Sequence, residues 1–391
     1  MARRLIRVLV FVAAVLVLLP QAESWQLAVV VPAASPLVAV ASVLATRTLP
    51  WTACLGLAVG AIGLLRRRWF CRWACPVGLL ADGATRIGLR LGRRCPHTPP
   101  LGQWIALAII GGACLGYPVL LWLDPLALFS GPFSLLDAAP AKAAWWSAAA
   151  IAAVLLLGTL WPGSWCLRVC PLGATQDLLH RFCRWLRRTS ARSAARPVSR
   201  QVDRGLPRRL VLGTLIGIGW AAAVRAVHAR AAPCLRPPGA LDETQFVGLC
   251  IRCGNCLRAC PAEIIEPDRG QQGLAGLLAP VVEFREDYCR EDCTRCAEAC
   301  PSGALTPFGL EDKARVAIGL ARVDMDVCLL GEARECSACR NYCPYEAIAY
   351  VWDEVQYTLT PRVNAERCPG CGACEVACPT TPTKAIRVHP C

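Results

Sequence analysis

Sixteen cysteines between residues 250 and 378 occur in four units of closely similar spacing. In the first unit, two residues separate each of the first three cysteines, and a fourth cysteine follows three residues later, directly before a proline. The second unit opens its first gap to three residues, the third opens it to seven, and the fourth repeats the first. The units are Cys250, Cys253, Cys256 and Cys260; Cys289, Cys293, Cys296 and Cys300; Cys328, Cys336, Cys339 and Cys343; and Cys368, Cys371, Cys374 and Cys378.

This spacing indicates ligands for iron–sulfur clusters of the bacterial ferredoxin type. Three closely spaced thiolates bind three corners of one cubane, and the thiolate before proline binds a neighbouring cluster. Zinc also takes soft thiolates, but zinc ribbons use paired C-x2-C knuckles and no repeated fourth cysteine before proline. A disulfide scaffold is the other alternative. All sixteen cysteines are therefore predicted to be metal ligands, enough for four [4Fe–4S] clusters.

The sequence leaves open which unit completes which cluster. In a neighbour arrangement, Cys300 completes the cluster of the first unit and Cys260 that of the second. Units three and four then exchange Cys343 and Cys378 in the same way. In a nested arrangement, the first unit exchanges with the fourth and the second with the third. The number of clusters is the same in both.

Two further cysteine pairs occupy equivalent places in the first half of the chain. Cys71 and Cys75 form one pair, Cys166 and Cys170 form the other, and a proline follows each pair in a C-x3-C-P motif. Each motif follows an apolar run that a Ser-Pro-Leu or Asp-Pro-Leu tripeptide precedes, so this half contains an internal repeat. Two such pairs can meet to supply four thiolates to a metal or redox group. A structural turn or a metal-free thiol pair is the alternative.

The composition predicts a helical membrane region before residue 228. Hydrophobic residues make up 55% of the 391, and the net charge of +14 is concentrated in this first part of the chain. Basic residues beside apolar runs are better explained by membrane topology than by nucleic acid. The predicted spans are 5–19, 49–65, 101–123, 143–160 and 210–224.

The positions of the arginines predict the orientation of these spans. Basic clusters lie at the start of the chain, at 66–94 and at 181–209, whereas the loops 21–48 and 124–142 are nearly free of them. The positive-inside rule then places the clusters in the cytoplasm and everything after the last span in the periplasm. The apolar segment 25–46 is interpreted as interfacial or re-entrant. The first span is interpreted as an uncleaved anchor, with a signal peptide as the alternative.

The two halves resemble two known families. Residues 208–391 begin with a twin-arginine-like Arg208-Arg209-Leu-Val-Leu, include the wide gap between Cys328 and Cys336, and resemble the NapG/MauM ferredoxin-type proteins. The first half resembles NapH, and the related membrane part of NosR, through its paired C-x3-C-P motifs. The resemblance implies a NapH–NapG fusion in which electrons pass from quinol at the membrane to a periplasmic redox enzyme.

One departure from that resemblance concerns the cytoplasmic side. NapH-type proteins usually carry ferredoxin motifs of their own there, whereas residues 174–207 hold only Cys183. Asp82 and Asp177, just after the two C-x3-C-P motifs, are candidates for taking protons from quinol, or else for capping helices. An acid–base pair, a phosphate loop or a nucleophile triad does not stand out, so catalysis beyond quinol oxidation is not expected.

The sequence therefore predicts an α-helical membrane domain of about five transmembrane helices followed by a small α+β bacterial-ferredoxin-like domain with four [4Fe–4S] clusters. The predicted parts are residues 1–185, an arginine-rich linker with the last span at 186–228, and the ferredoxin domain at 229–391. The predicted function is electron transfer from the quinol pool to a periplasmic redox enzyme, in a multi-pass protein of the bacterial inner membrane. The alternative is a maturation or assembly factor that keeps a periplasmic metalloenzyme reduced during cofactor loading, and a weaker one is a cytoplasm-facing ferredoxin.

Overall fold

The computed structural model describes residues 2–19, 25–95, 99–138, 142–192, 205–228, 233–270, 273–332, 334–354 and 357–391. Backbone contacts divide the chain into two compact units. The helical unit comprises Met1–Arg230, Thr244–Asn255 and Pro301–Ala304, and the cysteine-rich unit comprises Ala231–Glu243, Cys256–Cys300 and Leu305–Cys391. Residues 21–24, where cleavage would fall in the signal-peptide alternative, and the linker centre 193–204 lie outside the described residues.

The helical unit is built from helices joined by short turns. Its longer helices are α1 (Ala2–Leu18), α2 (Pro36–Thr46), α3 (Trp51–Leu65), α4 (Pro76–Arg90), α5 (Leu101–Cys114), α6 (Pro125–Ala138), α7 (Lys142–Leu160), α8 (Pro171–Arg192) and α9 (Gly205–His228). Its shorter pieces are Trp25–Ala28, Val30–Ala33 and Trp69–Trp73, a 3-10 turn at Leu121–Leu123 and a π-helical turn at Trp165–Val169.

Four of these helices, α2, α4, α6 and α8, begin with proline at their first position. Ser35, Cys75, Asp124 and Cys170 precede the four prolines. Proline suits this position because its φ is preset and its missing N–H would have no partner inside the helix. The residue before the proline acts as the cap: Asp124 Oδ1, for example, accepts a hydrogen bond from the N–H of Leu126 at 2.9 Å. The sequence repeat is therefore also a repeat of two helix starts.

The core of the helical unit contains the C-x3-C-P cysteines among apolar side chains. Cys75 and Cys170 are buried in one cluster with Phe129. The ring of Phe129 lies 5.8 Å from that of Phe11 and 5.3 Å from that of Phe133. The second cysteine of each motif is therefore held in an apolar environment.

The third predicted span, 101–123, is wrong as one continuous helix. The helix ends at Cys114. Gly116 follows with a φ of 77°, in the left-handed region that favours glycine, and a 3-10 turn occupies Leu121–Leu123. Hydropathy does not reveal this break, because the glycine and proline that interrupt the helix add no charge to the apolar run.

No single helix in the part of the chain that the structure describes is long and apolar enough to cross a bilayer. The helices Gln26–Ala33 and Pro36–Thr46 together have the length and composition of a span, but the chain bends by 93° between them. This pair coincides with the segment predicted to be interfacial or re-entrant.

The described residues of the cysteine-rich unit form three small antiparallel sheets and short helices. The strand pairs are β1 (Ile265–Pro267) with β2 (Pro280–Val282), β3 (Leu320–Val323) with β6 (Ile386–His389), and β4 (Ile348–Asp353) with β5 (Thr358–Val363). The helices of the second half of the chain are Glu243–Leu249, Asn255–Ala259, Gly273–Gly276, Arg295–Glu298, Ala338–Asn341 and Ala373–Ala377, with a 3-10 helix at Leu310–Arg315.

Each cysteine unit has the same local plan. The third cysteine of every unit, namely Cys256, Cys296, Cys339 and Cys374, lies in a short helix. A short apolar piece after each Cys-Pro then forms a strand or, at Leu305, an isolated β-bridge to Ala240. Each unit is thus a cysteine loop, a short helix and an extended piece.

Candidate metal centres

One cavity of the cysteine-rich unit is lined by four thiols that come from two sequence units. Cys260 ends the first unit, whereas Cys289, Cys293 and Cys296 are the first three cysteines of the second. Apolar side chains such as Ile264 and two basic ones, Arg290 and Lys313, complete the lining. This grouping agrees with the neighbour arrangement and differs from the nested one. We call these four cysteines the second thiol set.

A second cavity repeats this design with units three and four. Cys328, Cys336 and Cys339 line it together with Cys378, the last cysteine of the fourth unit. We call these four the third thiol set. A group of three or more His, Cys, Asp or Glu side chains converging on a single metal ion is not found among the described residues. The thiols surround a space, as ligands of a cubane do.

The last cysteine of the third unit, Cys343, in turn joins the first three cysteines of the fourth unit. We call Cys343, Cys368, Cys371 and Cys374 the fourth thiol set. Cys371 interacts electrostatically with Cys343 and Cys368, and Cys374 interacts with the other three members of the set. Burial raises the pKa of Cys371 to about 12, so in the absence of a metal this thiol is protonated and neutral at pH 7. Metal binding must therefore displace a proton here.

Lys313 is a functional side chain that the sequence reasoning missed. The 3-10 helix Leu310–Arg315 brings its ammonium into the second thiol set, where Nζ donates to Cys289 Sγ at 3.2 Å and to the Cys293 carbonyl at 2.9 Å. Only 4% of Lys313 is exposed. Burial raises the pKa of the Cys289 thiol, and the charge of Lys313 opposes that rise. The lysine thus stabilises negative charge on the sulfur.

The scarcity of lysine is the signal that could have found this residue. The whole chain has only Lys142, Lys313 and Lys384 among its many arginines. Both lysines of the cysteine-rich unit touch cysteines, because Lys384 Nζ donates to the Cys378 carbonyl. The lysine ammonium is a compact point charge with three donors, so it can donate to a sulfur and to a carbonyl at the same time.

Hydrogen bonds favour the thiolate of Cys378 in the third thiol set. Its Sγ and Thr380 Oγ1 are hydrogen-bonded at 3.2 Å. Burial acts to raise the pKa of Cys378, but the bonds from Thr380 and from the N–H groups of Ala385 and Ile386 outweigh it and hold the pKa below its usual value. This environment suits a thiolate that binds metal.

The two C-x3-C-P motifs meet in the helical unit. Cys71, Cys75, Cys166 and Cys170 interact electrostatically with one another. Gln176, which belongs to the second repeat, donates its Nε2–H to Cys71 Sγ of the first repeat at 3.2 Å. The two pairs thus form one group of four thiols, with Cys75 and Cys170 buried and the other two partly exposed. We call it the repeat thiol set.

Glycines let the two motifs pack closely. The N–H of Gly78 donates to Cys75 Sγ at 3.4 Å. A Cβ at Gly78 would lie 3.0 Å from the Cys71 carbonyl oxygen, and one at Gly173 would lie 3.3 Å from the Cys166 carbonyl oxygen and 3.9 Å from Cys71 Sγ. The glycine three residues after the second cysteine of each motif therefore keeps the space beside the sulfurs open.

Asp82 and Asp177 are held in ion pairs. Asp177 is 2% exposed and binds the guanidinium groups of Arg67 and Arg68, at 2.7 Å and 2.6 Å. Asp82, which is 46% exposed, pairs with Arg7. Neither carboxylate caps a helix, so that prediction is wrong, and a proton-accepting role would require breaking these pairs.

Comparison with known proteins identifies the second half of the chain. It is 37% identical over 192 residues to the methylamine utilization ferredoxin-type protein MauM of Methylobacillus flagellatus, a match that covers 47% of this chain and 80% of that protein. The chain belongs to the MauM and NapG ferredoxin-type proteins. It is also 34% identical over 189 residues to the ferredoxin-type protein NapG of Escherichia coli, covering 46% of this chain and 80% of NapG. The ferredoxin-type protein NapF of the same organism is 32% identical over 155 residues, covering 40% of this chain and 86% of NapF.

Two family models each match this ferredoxin-type protein at two places. A 4Fe-4S dicluster domain matches residues 249–304 and 334–381. A 4Fe-4S binding domain matches residues 48–94 and 143–190, one copy on each C-x3-C-P motif. No solved structure matches the chain. The protein is thus an iron–sulfur electron-transfer protein of the ferredoxin type.

Proposed function

We propose that this protein is a membrane-anchored carrier that takes electrons from quinol and passes them to a periplasmic redox enzyme. The observation that carries the proposal is the meeting of four thiols from two repeats within the helical unit, in the same chain as the ferredoxin thiol sets. Such a chain carries candidate redox centres in its helical part as well as in its ferredoxin part. A [4Fe–4S] cluster bound to these thiolates supplies one-electron storage and transfer.

The sixteen ferredoxin cysteines are the proposed ligands of four clusters. The second, third and fourth thiol sets account for twelve of them by their grouping in space. Because Cys260 of the first unit belongs to the second thiol set, we assign Cys300 of the second unit to the cluster of Cys250, Cys253 and Cys256. We call these four cysteines the first thiol set. Soft sulfur donors that are buried or partly exposed fit an iron–sulfur cluster.

The repeat thiol set is the proposed site of a further cluster. A 4Fe-4S binding domain matches each C-x3-C-P motif separately, yet each motif offers only two cysteines. We infer that both motifs share one cubane, bound by Cys71, Cys75, Cys166 and Cys170.

The membrane assignment rests on composition and charge. Apolar helices alternate with arginine clusters in the helical unit, as the positive-inside rule requires of a multi-pass protein of the inner membrane. With the predicted orientation, the ferredoxin part lies in the periplasm. The paired motifs also support the resemblance to NapH and to the membrane part of NosR, and hence a fusion of NapH-like and NapG-like parts.

Iron and sulfide analysis of the full chain, purified without oxygen, tests the cluster assignment. We expect about twenty irons and about as many sulfides, for five cubanes. The double variant Cys75→Ser with Cys170→Ser should lose about four of each, while the exposed-thiol control Cys54→Ser with Cys114→Ser should lose none. Sixteen irons in both the wild type and the double variant would refute the shared cubane, and an iron-free protein would refute the proposed function itself.

A quinol analogue tests the direction of electron supply. In membranes, we expect the analogue to reduce the clusters, as followed by EPR, and a reporter fused after Cys391 to be active only in the periplasm. Absence of reduction would instead favour the maturation or assembly factor. A reporter active only in the cytoplasm would overturn the topology.

A further inference from the structure

One hydrogen bond joins two thiol sets that are not neighbours in sequence. The N–H of Cys289 donates to the carbonyl of Cys371 at 2.9 Å. Cys289 belongs to the second thiol set and Cys371 to the fourth, and both residues are buried. The backbones of two cluster ligands are therefore in direct contact.

Tyr345 extends this contact. Its ring lies close enough to interact electrostatically with Cys371, Cys289 and Cys343. Its hydroxyl is buried and has no hydrogen-bond partner among the described residues. Tyr288, directly before Cys289 in the chain, also interacts electrostatically with Cys371. Two tyrosines therefore lie near the hydrogen bond between the second and fourth sets.

The third thiol set is reached through the fourth. Cys374 of the fourth set interacts electrostatically with Cys339 of the third. These two sets also exchange their last cysteines, Cys343 and Cys378. The third set is the more open of the two, because Cys328 and Cys336, like Cys339, are partly exposed.

Electron transfer is fastest where donor and acceptor are joined by covalent and hydrogen bonds rather than by empty space. We propose that the hydrogen bond from Cys289 to Cys371 is the electronic contact between the two ferredoxin pairs. The clusters are then connected in the order first, second, fourth and third, which is not their order in the sequence. This inference rests on the proposed cluster ligands, and it makes the partly exposed third site the terminus nearest to an external redox partner.

EPR of the reduced full chain tests the order, because neighbouring reduced clusters split or broaden each other's signals. One variant, Cys368→Ala with Cys374→Ala, removes the fourth cluster. Its matched partner, Cys328→Ala with Cys336→Ala, removes the third. We expect an isolated, unsplit cluster signal that the wild type lacks only when the fourth cluster is removed, because the third then loses its neighbour. Removal of the third should leave the remaining signals coupled.

The opposite result, an isolated signal only when the third cluster is removed, would establish the sequence order and overturn the inference. Iron analysis separates this failure from failure of the proposed function, since each variant should lose about four irons and keep the rest. Where a double variant loses all its iron, the single substitutions Cys374→Ser and Cys336→Ser keep an altered cluster in place. Coupling between the second cluster and the one altered by Cys374→Ser supports the inference, and coupling to the one altered by Cys336→Ser contradicts it.

Discussion

Replacing Lys313 by methionine should lower the reduction potential of the cluster bound by the second thiol set. The substitution removes the ammonium that donates to Cys289 Sγ at 3.2 Å and to the Cys293 carbonyl at 2.9 Å. Methionine keeps an unbranched apolar chain of similar length, so the contact with Phe308 is kept in part. The reduced cluster carries one more negative charge than the oxidised one, and the lysine therefore stabilises the reduced form more strongly.

The magnitude follows from the kind of hydrogen bond. A hydrogen bond to a charged group contributes about 1.5–3 kcal/mol, and only the part that differs between the two redox states changes the potential. If that part is about 1–2 kcal/mol, the potential falls by roughly 40–90 mV, because a tenfold change in a one-electron equilibrium corresponds to about 59 mV. The burial of Lys313, at 4% exposure, keeps solvent from screening this effect.

Redox titration followed by EPR measures this shift. Arg315→Met is the matched control, because Arg315 lies on the same 3-10 helix but its side chain is 85% exposed and pairs only loosely with Asp312 at 3.8 Å. We expect the control to leave the potential within about 10 mV of the wild type. An unchanged potential in Lys313→Met, or an equal shift in both variants, would refute the reasoning.

Three further outcomes are expected. Chelation of iron should unfold the cysteine-rich unit, since metal binding is folding energy here; unchanged circular dichroism would contradict this. Gly88→Ala should destabilise the helical unit by about 1–3 kcal/mol, because the new Cβ would meet the Thr159 carbonyl oxygen. Gly83→Ala on the same helix faces open space and should stabilise the unit by about 0.5–1 kcal/mol. Thermal unfolding compares the two variants. Asp177→Asn should lower the free energy of unfolding by about 3 kcal/mol, because two arginines lose their carboxylate partner. Asp82→Asn should lower it by less, because that ion pair is half-exposed. Equal losses of stability in denaturant unfolding of the two variants would contradict this expectation.

The cysteine units were predictable from sequence because their spacing is set locally. Three ligands of one cubane lie in a single loop, so they must be close together in the sequence. The helix around Cys256 and the strand that begins at Ile265 follow from the same local plan. The sequence also offered the arrangement in which neighbouring units exchange ligands, but it did not distinguish this arrangement from the nested one. The cysteines that line the two cavities distinguish them.

The contacts that join these units could not be read from the sequence. Lys313 contacts Cys289 because it lies on the 3-10 helix Leu310–Arg315, and the hydrophobic pattern of the sequence does not predict this helix. The bond from Cys289 to Cys371 uses backbone atoms, which every residue carries, so no side-chain pattern marks it. The third predicted span failed for a related reason: hydropathy counts Gly116 as compatible with a helix, whereas its positive φ ends one.

The exchange of the last cysteine between units has a consequence for biogenesis. The third thiol set gains Cys378 only after the ribosome has made the fourth unit and that segment has folded back. Iron delivered earlier would find three sulfurs and an open corner. Loading of this site is therefore a late event that reports on completed tertiary structure, and a cell that inserts iron only into finished sites obtains a quality check from the fold itself.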